Sequence, residues 1–312
     1  MLTVFTRRIL WAIPGALIIT ALLFFSVAGL LGSPAALMLG LDATPQAIAE
    51  INARMGFDQP LVVQYFKWIG GALTGDLGRS FSTHQTVAET ILPRLPVTLE
   101  IGMLAMIFAT LTAVVVNSIT SGMRFIRPIA TAFAVVGITL PNFALGLSLI
   151  YLFSVKLGWL PSIGWAPWSD GIATHLKAIL LPVLTLSAYY YGSFTLIYRA
   201  EFDTVRERLF VRVAKAKGLS DTAVSFRHVL PNAILPVITY VGLSLGQLMG
   251  GAVVTESLFS IPGIGSLLVD SILTRDYPVM LAVGMITIGA VVFMNALADA
   301  CYGVANPQIR IE

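Results

Sequence analysis

Apolar runs long enough to cross a bilayer recur along this chain, and they limit what it can become. A helical span needs about 20 mostly apolar residues. Six stretches meet that length, near 9–31, 97–118, 128–155, 178–198, 232–255 and 279–301. In lipid the backbone must satisfy its own hydrogen bonds, which leaves helices as the structure for such runs. The expected fold class is therefore an all-α membrane protein of about six transmembrane helices. The balance of residues agrees: 57% are hydrophobic and 11% charged, against roughly 25% charged in soluble domains. Residues 1–96 read as an N-terminal signal-anchor helix plus an external segment, and 97–312 as the membrane core. Arg7 and Arg8 precede a first apolar run longer than a cleaved leader carries, so it reads as an anchor.

Orientation follows from the basic residues. With the N-terminus inside, twelve of the nineteen Lys and Arg fall in the cytoplasm, including Arg7, Arg8, Arg124, Arg127 and Arg310. Acidic residues such as Asp42, Glu256 and Asp276 lean outward. The positive-inside rule then places both termini in the cytoplasm. In the first outer segment, Thr44-Pro45 is a helix start and Gly56 a helix end. A second stretch, 61–73, carries Tyr65, Phe66 and Trp68. Both read as short helices on the outer surface, the second at the membrane–water interface that aromatics favour.

Several function classes are excluded or weakened. The net charge of +3 gives no reason to expect a nucleic-acid partner, whereas contact with membrane lipid is required. The single cysteine, Cys301, permits no disulfide framework within the chain. His84, His175 and His228 are far apart and read as surface or loop residues, so no metal site is expected. No catalytic residue is assigned either. The middle of each span lacks ionisable side chains, with Glu100 and Asp299 near ends. Ion-coupled carriers place such groups at midplane, which weighs against a stand-alone carrier or channel. The chain has no G-x-x-x-x-G-K-[ST] loop to cradle nucleotide phosphates.

Two features inside the spans invite a reading. Gly242, Gly246 and Gly250 recur every four residues in the fifth span and line one helix face. That face either packs within the chain, or meets a second subunit or the transport path, with Gln247 supplying a polar group. Pro141 interrupts the third span beside Asn142, and a kink is expected there.

The polar stretch 199–231 breaks the apolar pattern. A helix over 207–217 is expected to end at Gly218, followed by a turn at Leu219. Ser220 is a plausible N-cap and Asp221 suits the positive helix end, so a second short helix is expected over 221–230. Small residues at Ala214 and Gly218 would let this element enter a partner's groove. The competing reading is a basic loop lying on headgroups.

The residues of this stretch, AKAKGLSDTAVSFRHVLPNAILP, resemble the cytoplasmic loop of ABC-importer permeases. The similarity is strongest to the dipeptide, oligopeptide and nickel permease family. It extends to RRILWAIP, DQPLVVQYFKWIGGALTGDLGRS, RLPVTLE, LPNFALGLSLIYLFSVKLGWLPSIG, ESLFSIPGIGSLLVDSILTRDYPV and the terminal NPQIR. The resemblance implies a type I importer permease fold in a bacterial inner membrane, working by alternating access. It implies import of short peptides, with nickel or a metal chelate as the alternative cargo. It implies as partners a second homologous permease, two ATP-binding subunits holding ATP and Mg, and a periplasmic or lipid-anchored substrate-binding protein; this chain itself carries no cofactor and no enzyme activity. ATPase coupling would fall to Ala214, Lys215, Lys217, Gly218, Leu219, Ser220, Asp221, Phe226, Arg227, His228 and Pro231. Asn142, Gly242, Gly246, Gln247 and Gly250 would serve the path or helix packing. Pro262, Gly263, Gly265, Arg275 and Asp276 would face the binding protein.

Overall fold

A computed structural model describes residues 2–40, 43–123 and 125–305, the side chains of 2–5, 8–9, 31 and 299–305 excepted. Expectations placed on Asp42, Arg124 and the terminal 306–310 motif lie outside the described residues. So do those on the side chains of Arg8, Asp299 and Cys301.

Among the described residues the regular elements are all helices, joined by loops. In order it forms α1 (Leu2–Leu31), α2 (Pro34–Leu39), α3 (Pro45–Met55), α4 (Leu61–Leu73), α5 (Val87–Ile91), α6 (Leu95–Thr120), α7 (Ile126–Thr139), α8 (Asn142–Leu149), α9 (Ile172–Arg206), α10 (Leu209–Ala216), α11 (Asp221–Val224), α12 (Leu230–Ala233), α13 (Leu235–Phe259), α14 (Ile264–Leu273) and α15 (Tyr277–Ala305). Five long segments are apolar enough to span: Leu10–Leu30, Val87–Thr120, Ile172–Arg206, Leu235–Phe259 and Tyr277–Ala298. The sixth is broken. The pair Ile126–Thr139 and Asn142–Lys156 is bent by 115°, where a single kinked span was expected. The cause is local. The residue before a proline avoids the α region, and Leu140 is extended at φ −77°, ψ 130°. One helix stops there and another starts after Pro141, its last turns relaxing into a π-helical stretch over Ile150–Lys156.

The core is an α6–α9 pair. Ile101, Ala105, Ala109 and Ala113 recur every four residues on α6 and are buried. Tyr190, Phe194, Tyr198 and Phe202 repeat the same spacing on α9. Small residues on one helix leave room for rings on the other, and all eight belong to one buried cluster. Polar bonds fix the register: Ser118 Oγ lies 2.6 Å from the Tyr198 hydroxyl, and Asn117 Nδ2 donates to Thr195 Oγ1 at 3.3 Å. Helix α7 crosses α9 through glycines. A β-carbon at Gly137 would sit 2.4 Å from the Ala188 carbonyl oxygen, and one at Gly192 2.3 Å from that of Ala134.

The N-terminal elements are built as their caps dictate. Thr44 Oγ1 accepts from the Ala47 amide, Pro45 opens α3, and Gly56 closes it at φ 74°. Helix α1 lies against α15 and α4. Tyr65 ties α4 down, its hydroxyl donating to the Leu17 carbonyl at 2.9 Å with Thr20 Oγ1 3.0 Å away. The boundary expected after residue 96 falls in the first turn of α6.

Candidate functional site: the basic helical platform and the opposite loops

At 1.5 Å per residue, the 35 residues of α9 reach about 52 Å, far beyond the ~30 Å hydrocarbon thickness. Residues 199–206 are therefore the projecting end of α9, not loop as expected. The next helix starts at Leu209, after Arg208 adopts an extended N-cap geometry. Gly218 ends it at φ 85°, its N–H donating to the Lys215 carbonyl at 2.9 Å. Ser220 caps α11 by accepting from the Ala223 amide at 3.3 Å. Asp221 braces the two helices, 2.8 Å from Lys215 Nζ and 3.3 Å from Arg206 Nη2. The hydrogen bond and charge of Lys215, aided by Arg206, hold the Asp221 carboxyl below its ordinary range. Because that value is depressed on folding, the brace is complete at neutral pH and is lost as pH falls through it.

The second helix outruns its expected 221–230 range. Helix α11 widens into a π turn over Ser225–Val229 and continues through α12 toward α13. Pro231 accounts for the widening: its ring clashes with the carbonyl four residues back in a regular α-helix.

The platform divides its side chains cleanly. Val211, Ala214, Val224 and Val229 are buried within the chain. Ala214 therefore seats α10 on its own protein, which corrects the expectation that it enters a partner's groove. Lys215, Lys217, Gly218, Leu219, Ser220, Asp221, Phe226, Arg227 and Pro231 are exposed, and His228 is half-buried. Leu209, Phe210 and Val213 are exposed as well. They join Leu219 and Phe226 in a set of apolar side chains on a basic surface, and sequence reasoning missed these three. The signal was present: in α10 apolar residues fall on both faces, more than one buried seam needs. Arg199 donates to the Arg127 carbonyl at 3.2 Å, Arg127 pairs with Asp203, and Arg206 reaches the Ser121 carbonyl at 3.4 Å. These bonds lock the projecting end of α9, from which the platform follows, to the α6–α7 connection and the first turn of α7.

The glycine face of α13 divides too. A β-carbon at Gly242 would lie 2.7 Å from Ala298 Cβ, and one at Gly246 2.8 Å from Asn295 Oδ1. Both glycines pack α13 onto α15 of the same chain, the first of the two readings of this face, and not toward the path or a second subunit. Gln247 and Gly250 are exposed instead, on a strip with Leu243 and Val254. Asn142 is half-buried at the break after Pro141.

At the opposite end, Glu256 is fully buried. Its carboxylate accepts from Thr98 Oγ1 at 2.6 Å and from the amides of Gly265 and Ser266 at 2.7 and 3.0 Å. Thr98 Oγ1 in turn accepts from the Ile264 amide at 2.8 Å. The free amides and positive dipole at the start of α14 thus hold an internal anion. Gly263 and Gly265 are buried at this contact. A β-carbon on Gly263 would come within 2.2 Å of the carboxyl carbon. They face Glu256, not a partner, whereas Pro262 between them and α13 is exposed. Asp276 is likewise buried. It accepts from Ser80 Oγ and from the amides of Phe81 and Ser82 at 3.1 and 3.3 Å. Arg275 beside it is exposed, with φ 56°. His175, expected at the surface, is fully buried. Its ring stacks on Trp168 at 3.9 Å and bridges the Ala166 carbonyl and Glu100 Oε1, at 2.6 and 2.9 Å.

Comparison with known proteins is consistent along the whole chain. Residues 102–311 match the family described as binding-protein-dependent transport system inner membrane component, and residues 1–102 match the N-terminal region of such membrane components. The glutathione transport system permease protein GsiC of Salmonella paratyphi A is 39% identical over all of both chains. GsiC of Escherichia coli K12 is 38% identical over the same extent. A crystal structure of an amino acid ABC transporter with histidines superposes with TM-score 0.50 at 18% identity, covering 71% of this chain and 95% of that one. It shares the fold. The chain belongs to the binding-protein-dependent transport system inner membrane component family and is a multi-pass permease subunit of a bacterial ABC importer.

Proposed function

We propose that this permease subunit forms one half of a translocation pathway that imports short peptides, glutathione among them, by alternating access. The observation that carries the reading is full-length similarity to permeases named for glutathione transport, a tripeptide being within that class. The platform of α10 and α11 supports the mechanical half of the proposal. Its backbone is braced by capped helix ends and by Asp221, while Leu219, Phe226 and Leu209 stay exposed. A rigid element with an apolar surface is suited to transmit a push from an ATP-hydrolysing subunit.

In this reading two ATP-binding subunits dock on the platform, a second homologous permease completes the path, and a periplasmic or lipid-anchored binding protein delivers cargo. The platform and both termini lie in the cytoplasm. ATP and the loaded binding protein move the equilibrium only through their different affinities for its two states. The exposed strip of Gln247, Gly250, Leu243 and Val254 is the surface of α13 offered to the path or the second permease. Residues 1–96 act as an anchoring and external unit, and 97–312 as the permease core.

The test is uptake into proteoliposomes holding the assembled importer and its binding protein, with labelled glutathione, a labelled dipeptide and nickel offered separately. ATP-dependent uptake of a peptide cargo is expected. Uptake of nickel alone would replace the peptide reading.

A further inference from the structure

A cavity of about 750 Å³ lies between α1, α4, α15, the 76–84 loop and Met38, Met55 and Phe57 of the α2–α3 region, within the roughly 300–1,000 Å³ common for small-molecule sites. Nothing in the transport reading uses it. Its inner wall is aromatic and aliphatic: Phe24, Trp68, Tyr277 and Leu281 line it. Phe24 lies 5.7 Å from Trp68 and 6.1 Å from Tyr277, ring centre to ring centre. Lys67 and Arg79 line it too, and both are exposed. Neither cation makes an ion pair among the described residues. The Asp76 carboxylate also lines the cavity, but one of its oxygens already accepts from the Gly78 amide at 2.9 Å.

The depth of these groups decides the occupant. The apolar stretch of α1 ends at Leu30, so Phe24 sits about 9 Å inside that end. Tyr277 opens the apolar stretch of α15. Phe24 thus lies inside one apolar stretch and Tyr277 at the outer edge of another, while Lys67 and Arg79 belong to the polar external segment beside them. Helix α1 also turns Leu10, Trp11, Ile18 and Leu22 outward, on the same apolar stretch that carries Phe24. An apolar chain below and an anionic head above fit that polarity.

We infer that this cavity is a binding site for an anionic phospholipid, its acyl chain against Phe24, Trp68 and Tyr277 and its phosphate between Lys67 and Arg79. The leaflet follows from the orientation proposed above, and the site itself does not depend on it or on the cargo. Basic side chains at a membrane surface favour anionic headgroups.

The assembled importer is extracted from nanodiscs of phosphatidylcholine mixed with phosphatidylglycerol, and retained lipid is counted by native mass spectrometry. A diazirine on the phosphatidylglycerol acyl chain maps its position by photo-cross-linking. Wild type should retain phosphatidylglycerol over phosphatidylcholine by roughly thirtyfold, the effect of two basic groups. Lys67→Gln with Arg79→Gln should abolish that preference. Met38→Trp, which fills the cavity and keeps the charges, should abolish cross-links to Trp68 and Tyr277. Equal retention of the two lipids, or cross-links unchanged by Met38→Trp, overturns the inference. So does displacement of the lipid by glutathione or by the binding protein, which would make the cavity a cargo or docking site. Uptake of peptide is read in parallel, because loss of the cargo reading leaves the lipid result standing.

Discussion

Glu256 shows how far one side chain can reach in this protein. A lone buried carboxylate is costly to desolvate and persists only when well hydrogen-bonded. Here Thr98 from α6 and two amides of α14 supply the bonds, so three helices meet at one group. Removing the acceptor leaves three buried donors without partners, at about 1–3 kcal/mol each. Glu256→Ala should therefore lower stability by at least about 3 kcal/mol, read as thermal unfolding of the detergent-purified complex. Glu256→Gln should fall between, since an amide keeps one acceptor oxygen but loses the charge that the helix dipole favours. Wild-type stability in Glu256→Ala would show that the α13–α14 turn does not depend on this bond set. In the sequence the glutamate looks like an ordinary outer acid. Its partner motif, Gly263-x-Gly265-Ser266 opening a helix, was the available sign that an anion belonged there.

At the scale of elements, glycine has two unlike uses. Gly246 is a matter of space, Gly218 of backbone conformation. A side chain at Gly246 meets Asn295 and Val291 of α15, so Gly246→Leu should pry two helices of one chain apart. The expected result is loss of folded protein by size-exclusion recovery, with uptake falling only in proportion. Normal recovery with abolished uptake would return this face to the path. At Gly218 nothing lies within 4 Å of an added β-carbon, yet φ is +85°. Gly218→Ala should cost about 1–2 kcal/mol in the turn and weaken co-purification of the ATPase, and Gly218→Asn should weaken it less. Equal co-purification in both variants would remove the turn from the coupling surface. The broken third span belongs at this scale as well. Proline and the restriction on the residue before it were legible. The 115° bend was not, because its size is set by where Gly146 lets α8 approach Leu258 and Thr185.

For the whole molecule, thiol labelling at accessible positions tests the orientation that the basic residues indicate. Ser82 in the outer segment is exposed, and so is Ala216 at the end of α10. In a Cys301→Ser background, an impermeant maleimide added to cells with a permeable outer envelope should label Ser82→Cys and spare Ala216→Cys until the inner membrane is opened. The reverse pattern would invert the topology.

What the sequence settled by itself is what local chemistry controls. Runs of about 20 apolar residues must be helices in lipid, so the number of spans could be counted. Thr44, Gly56, Ser220 and Gly218 mark helix ends through their own backbone and side-chain preferences, and they do so here. What the tertiary structure alone decided is which side of each helix meets protein. Sequence periodicity distinguishes polar from apolar faces, but in a membrane lipid and protein core are both apolar. Gly242 and Gly246 therefore gave no sign that α15 covers them, nor Gly250 that it stays open. Glu256, Asp276 and His175 likewise found their partners on Thr98, Ser80 and Glu100, dozens of residues or more away, where only the packing of the helices could bring them together.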